Sequence, residues 1–232
     1  GLCNKNKLSK LSNFQNKKFL NEVKKYIKYD ISNIVFTSVI SAKDNKLINS
    51  YLKKIFKCKV KQLKSSSSFL GVTNGYKQSS KLGDDRWVTI VASYIVHKSP
   101  LIIVDCGTAV SIDIVNNKGV HSGGYILAGI DNYKRSFENA YHLKNTKLNE
   151  TTKLKKKSLP KKTDDGITQG YLKMIVSLIE SIHNELNKNK KSSTRLLISG
   201  GYGKIISNNL SIKNSYEPDL VLRCLGVISN RI

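Results

Sequence analysis

The 232-residue chain is poor in several things that would announce a function class. It has four cysteines, Cys3, Cys58, Cys106 and Cys224, and none has C-x-x-C spacing. That argues against a zinc site or a disulfide framework and suits a reducing, cytoplasmic location. No apolar run approaches the roughly 18 residues that would span a bilayer, so no membrane role is expected. Gly1 to Lys25 is polar and Lys-rich, without the apolar block of a secretory signal. Met174 is the only methionine; an initiator Met before Gly can be excised, so this alone does not prove truncation. Acids are scarce too: 16 Asp and Glu stand against 40 Lys and Arg, a net charge of +24. Such a charge can serve nucleic-acid binding. Here the excess is almost all Lys, spread along the chain and accompanied by Asn, as an AT-rich coding sequence would give. The aromatic interleaving of a stacking platform is missing. Specific nucleic-acid binding is therefore not expected, only weak non-specific binding at low salt. No repeat of fixed period is present.

What is present is a core. Hydrophobic residues make up 39% of the chain, and its length allows one large domain or two small ones. The stretch from Leu101 to Gly129 organises the rest. Leu101 to Val104 is an apolar, β-branched run that reads as a buried strand ending at Asp105. Cys106-Gly107-Thr108 turns the chain, and Val110 to Val115 reads as a second strand. A carboxylate at a strand end, followed by a tight Gly-Thr turn, suits nucleotide phosphate work. The Asp can hold a cation, and the turn's N–H groups and Thr hydroxyl can meet phosphate oxygens. An ordinary hairpin would read the same way. Asn116 to Gly119 is a hairpin turn, after which Gly123-Gly124 repeats the glycine device.

Taken in order, Gly1-Leu2-Cys3 reads as the tail of a strand turning at Asn4 to Asn6. Lys17 to Tyr29 reads as an amphipathic helix, and Asn33 to Ile40 as a buried strand. Lys43 to Phe56 is a second helix whose apolar face is Leu47, Ile48, Tyr51, Leu52 and Ile55. Lys59 to Leu63 is a strand and Ser65 to Ser68 a loop, so this half is α/β. Asp84 or Asp85 opens a helix that turns Trp87, Ile90, Val91 and Tyr94 inward. Paired acids there serve as caps and dipole partners. Asp85 also suits a general base, with Arg86 beside it for an anionic substrate. Asp131 to Leu143 reads as a surface helix and Lys144 to Lys162 as a solvated connection. Thr163 to Gly166 reads as the N-cap of a long helix with Leu172, Ile175, Val176, Ile179, Ile182 and Leu186 on one stripe. Arg195 to Ile198 is a strand leading into Ser199-Gly200-Gly201, where a flat ligand can approach the backbone or the chain simply turns. Pro218 to Ile228 is a closing helix.

Six spaced motifs, in order, resemble those of type III pantothenate kinases, members of the actin/hexokinase/Hsp70-like ATPase superfamily. They are Asn74-Gly75-Tyr76, Leu82 to Trp87, Asp105 to Ala109, Gly123 to Ile126, Thr163 to Gly166 and Ser199 to Gly201. The resemblance implies two actin-like, ribonuclease H-like α/β lobes, residues 1–98 and 99–232, with a nucleotide cleft between them. It implies ATP-dependent phosphorylation of pantothenate towards coenzyme A, with Mg²⁺ and a monovalent cation, K⁺ or NH₄⁺. Asp85 would be the proton acceptor. Tyr76, Gly83, Asp84, Asp85, Arg86 and Thr163 would bind pantothenate, Thr163 across a homodimer interface. Gly107, Thr108, Gly200 and Gly201 would bind ATP, and Asp105 the monovalent cation. The same family holds relatives known as transcriptional accessory factors, which look much like the kinases and give the alternative reading of a non-catalytic regulator.

Two departures stand out. The family's opening Asp-x-Gly-Asn-Thr/Ser phosphate motif has no match here, and Gly1-Leu2 looks like the residues that would follow it. Either that segment was lost or the protein never had it. A protein without it would lose an ATP-phosphate and Mg²⁺ clamp, and activity should fall by orders of magnitude. Ala128 stands where the family carries Pro, a change expected to be tolerated.

Overall fold

The computed structural model describes residues 2–4, 7–9, 19–137, 152–154, 158–188 and 193–232. Its centre is a five-stranded mixed sheet. The strands are β7 (Leu101–Cys106), β8 (Ala109–Val115), β9 (His121–Ala128), β10 (Arg195–Ser199) and β11 (Ser215–Tyr216), in the order β11-β10-β7-β8-β9. β7, β8 and β9 run antiparallel in sequence, while β10 pairs parallel with both β7 and β11. β7 lies at the middle, and Leu101, Ile102, Ile103 and Val104 are all essentially inaccessible. A continuous apolar run is what a strand covered on both faces needs.

Alternation along the strands sends side chains to two cores. On one face Leu101, Ile103 and Val115 pack with helix α3 (Asp84–His97) and helix α7 (Leu220–Ser229). On the other, Ile102, Val104, Val110 and Ile112 pack with α4 (Ile130–Arg135), α5 (Thr163–Asn187) and α6 (Gly203–Asn209). Trp87, Ile90, Val91 and Tyr94 of α3 are buried as the periodicity predicts. So is the α5 stripe through Ile182, whereas Leu186 is exposed.

The first part of the chain is built in smaller pieces. β1 (Leu2–Asn4) and β2 (Lys7–Ser9) form an antiparallel pair, and β3 (Asn33–Phe36) pairs parallel with β4 (Lys59–Gln62). Between the last two lies α2 (Ala42–Phe56), capped by Ser41, whose Oγ accepts from Asp44 N at 3.1 Å. β5 (Ser68–Phe69) and β6 (Val72–Thr73) make a short hairpin that starts at the last residue of the expected Ser65 to Ser68 loop.

Several expectations are corrected. Helix α1 covers only Phe19–Lys24; beyond it the backbone tightens into i→i+3 turns, Tyr26 N to Val23 O at 3.0 Å among them. β3 stops at Phe36 and is half-buried, because its partner β4 offers four residues. Val39 and Ile40 are exposed. Leu47 is also exposed; α2 buries Leu52 and Asn45 instead. α4 ends at Arg135, and what was expected as its continuation through Leu143 lies mostly outside the described residues, as do Lys155 to Lys157. The long helix starts at Thr163 itself, with Lys162 at the N-cap position and no side-chain cap.

Candidate active site

Two turns meet at the carboxyl ends of β7 and β10. The strands are in register with Ser199 opposite Asp105, so the Cys106-Gly107-Thr108 turn and the Gly200-Gly201 turn emerge side by side. Gly200 has φ +88°, and a Cβ there would lie 2.5 Å from the carbonyl oxygen of Cys106. Only glycine permits that approach. Tyr202 N donates to the same carbonyl at 3.1 Å, locking the turns together. Gly107 N donates to Ala109 O at 2.9 Å. The Thr108 carbonyl accepts from Gly129 N at 3.0 Å and from Asn132 Nδ2 at 2.9 Å, while the residue itself is exposed. Gly201 faces open space. The thiol of Cys106 is buried and pushed up to about 12 by that burial, so it packs rather than reacts.

The amino end of α3 supplies the acids. Gly83 occupies its N-cap position, and a Cβ there would crowd Asp85 Oδ1 at 2.8 Å. Asp85 Oδ1 accepts from Arg86 N at 2.8 Å. Asp84 turns away from its neighbour, and its Oδ1 accepts from Ser65 N at 2.8 Å, tying the preceding loop to the helix. Asp105 is mostly buried, and its carboxyl is pushed above the ordinary range by that burial and then by the charges of Asp85 and Asp113. Asp85 and Asp105 therefore share one electrostatic neighbourhood, although they come from different halves of the sequence.

Arg86 turns to the sheet. Its Nε and Nη2 donate to Asp113 Oδ2 at 2.9 Å and Oδ1 at 2.7 Å, a bidentate pair, and its Nη1 donates to Tyr76 OH at 3.2 Å. His121 Nε2 lies 2.9 Å from Asp113 Oδ1, and the His121 ring stacks on Tyr76 at 5.7 Å between centroids. Burial alone would raise the Asp113 carboxyl; the hydrogen bonds from His121 and Arg86, with the guanidinium's charge, outweigh it and hold it below its ordinary value. A Cβ on Gly75 would collide with the His121 carbonyl, so glycine lets the Tyr76 segment sit against β9. The site thus joins a base-like carboxylate, a second carboxylate at a strand end, two open glycine turns and an anchored guanidinium.

The profile of the type III pantothenate kinase family matches residues 5–185. The chain belongs to that family. A type III pantothenate kinase of Cellvibrio japonicus (strain Ueda107) is 30% identical over 198 residues, covering 85% of this chain and 77% of that one. One from Marinomonas sp. (strain MWYL1) is 29% identical over 197 residues, covering 81% and 75%. Among solved structures, a Campylobacter jejuni protein described as a Baf family transcriptional activator aligns with TM-score 0.59 and 24% identity, covering 90% of this chain and 88% of that one. That likeness bears on the fold alone.

Within this kinase-family chain, the motif residues are not all drawn together. Arg86 joins Tyr76 to Asp113, Asp85 precedes Arg86 on α3, and Asp105 leads into the Gly107-Thr108 turn beside Gly200-Gly201. Gly123-Gly124 is not a second turn. Both residues lie within β9, where a Cβ on Gly124 would collide with the Ile112 carbonyl. Thr163 is exposed at the start of α5 and shares no hydrogen bond with the cluster among the described residues. Among those same residues no three His, Cys, Asp or Glu side chains converge as a metal site. Asp113 and His121 are the residues that motif reasoning missed. The signal was there: one acid inside the apolar run Val110 to Val115, on a strand with nothing else charged.

Proposed function

We propose that this chain transfers the γ-phosphoryl group of ATP to the primary hydroxyl of pantothenate, with Asp85 as the base. Support comes from family membership and, chiefly, from the register of β7 and β10, which sets Asp105 and the two glycine turns side by side, with the charge of Asp85 adding to the upward push on Asp105. Asp85 takes the hydroxyl proton. The oxygen attacks the γ-phosphorus in line, the bond to the bridging oxygen breaks, and ADP leaves. The N–H groups of the Gly107-Thr108 and Gly200-Gly201 turns approach the nucleotide. Tyr76, Arg86 and the α3 amino end receive pantothenate, with Gly83 keeping the approach to Asp85 clear and Thr163 contributing at a homodimer interface. The division into lobes at residue 98 is part of this reading. The packing of α3, whose first turn carries Asp85, on the sheet that carries Asp105 supports this reading.

The charge pattern fits a monovalent cation at Asp105: a carboxylate pressed by two neighbouring acids gains from a bound positive charge, and one carboxylate with carbonyls suffices for such an ion. Mg²⁺, when bound with ATP, offsets charge on the phosphates. A cytoplasmic location suits these substrates.

A coupled ADP-release assay on the full-length protein, with pantothenate, ATP, Mg²⁺ and K⁺, tests the reading. Turnover should require pantothenate. Asp85→Asn should lower kcat about 10²- to 10⁴-fold while pantothenate binding persists. Unchanged kcat would remove Asp85 from the role. No turnover, together with salt-sensitive and sequence-preferring DNA binding, would favour an accessory-factor role instead.

A further inference from the structure

Asp113 is an acid in the wrong place for a simple sheet. It sits in β8, between the two neighbouring strands of the sheet, and is 1% exposed. Its parity with Ser111 and Val115 sends it to the face covered by α3. A buried ion pair is seldom the most stable filling for such a position, since apolar residues of similar volume do as well or better. Its three donors, Arg86 Nε, Arg86 Nη2 and His121 Nε2, all lie within 2.9 Å. A carboxylate accepts only, so the His121 Nε2 proton points at Asp113. His121 Nδ1 is left buried without a partner among the described residues. That atom's cost is borne while the other nitrogen fixes Asp113 and the ring supports Tyr76.

Building on the kinase reading above, we infer that Asp113 is a positioning residue for phosphoryl transfer. It holds the Arg86 guanidinium, and through it the Tyr76 hydroxyl, beside Asp85, while His121 holds Asp113. Two consequences follow from donor counting. Three of the five guanidinium N–H groups are committed, leaving one on Nη1 and one on Nη2. Tyr76 OH accepts from Arg86, so its own proton is free to donate. The cluster therefore presents three donors in fixed positions to an acceptor-only group of the substrate, a carboxylate or carbonyl. Asp113 also fixes where the guanidinium points: both of its oxygens accept from Arg86, so the side chain is held at the sheet although Arg86 adjoins Asp85 in sequence. The anchor is mounted on a strand inside the sheet, the most rigid element available.

A double-mutant cycle tests this. Asp113→Asn, Arg86→Gln and the double variant are assayed for kcat and for the pantothenate KM, with melting temperature and ATP affinity measured alongside. Asp113→Asn should lower kcat/KM about a hundredfold, with ATP affinity kept. Adding it to Arg86→Gln should cost little more, because its partner has already gone. Additive losses, or equal loss of ATP affinity, would overturn the positioning role. A second pair guards against misfolding. His121→Gln restores an N–H at the Nε2 position and should keep most activity, whereas His121→Phe retains a stacking ring but not the donor and should fall towards Asp113→Asn. Equal behaviour of the two would also overturn the inference. Wild-type protein that turns over no pantothenate would instead overturn the underlying kinase reading, and this inference with it.

Discussion

The five-stranded sheet and the β3–α2–β4 unit are both α/β, yet they are held together differently. In the sheet, β7 and β8 bury almost every residue, and two clusters of helices close on the faces. In the earlier unit, no residue of β3 is fully buried, α2 buries only Leu52 and Asn45, and lysines make up half of the exposed residues. Each of the converging site residues is mounted on the sheet, on its turns or on segments packed against it. The difference teaches where precision is needed. The candidate site residues sit on or against the doubly covered sheet, while the Lys-rich unit carries none of them.

The comparison can be broken first at its tightest point. Gly200→Ala should do the most damage, since it strikes stability and nucleotide binding together. A Cβ at φ +88° and 2.5 Å from the Cys106 carbonyl must push the two turns apart. The left-handed backbone and the overpacking should cost about 2–5 kcal/mol in chemical denaturation, with ATP affinity falling in parallel. Ile112→Ala follows. Its side chain is fully buried on the α5 face, and truncation should cost about 2–5 kcal/mol without touching a nucleotide contact. Equal ATP affinity in the two variants would show that the paired turns do not form the nucleotide site.

A reversible test of the sheet's charged inclusion uses pH. Asp113 is held below its ordinary carboxyl value when folded, so the folded state binds its proton less readily than the unfolded chain. Its contribution is present in full above the unfolded value of about 3.9 and is lost as pH falls through the lower folded value. The stability gap between wild type and Asp113→Asn should therefore be widest near neutrality and close in acid. Asp105 runs the other way. Its raised folded value means that protonation on acidification relieves the site, so Asp105→Asn should gain on wild type above that value and lose the gain below it. Gaps of the same sign for both residues would contradict the electrostatic arrangement.

Legibility in the sequence followed the same divide. β7, the β7–β8 turn, α3 and the strand before Gly200 could be read because apolar pattern and burial coincide there. Asp85, Asp105 and the two glycine turns stood out through their motifs. Asp113 and His121 did not, since their roles arise from cross-strand placement: His121 begins β9 and reaches back across the sheet to a carboxylate eight residues earlier. Gly123-Gly124 misled for a related reason: Gly124 is needed for close strand approach and Gly123 for a positive φ within β9, and such a pair looks like one needed for a turn. In the earlier unit, apolar residues overstate burial. Val39 and Ile40 extend the pattern of a strand that lacks a partner to extend against, and Leu47 lies at the uncovered edge of a helical stripe whose Leu52 is buried.

Leu47 gives the smallest effect and the cleanest check on that last point. By pattern it belongs to the apolar face of α2, beside Tyr51 and Leu52, and truncating a core Leu would cost several kcal/mol. In the structure it is 61% exposed, against 4% for Leu52 five residues on. Ala is at least as good a helix former as Leu, so no propensity is lost. Leu47→Ala should therefore change stability by no more than about 0.5 kcal/mol, while Leu52→Ala in the same helix should cost well above that. The two variants differ by five positions on one helix, so any general weakness of this unit cancels between them. A cost for Leu47→Ala as large as that for Leu52→Ala would mean that the exposed stripe is covered in solution, and the contrast between a dry sheet and a wet, Lys-rich flank would have to be redrawn.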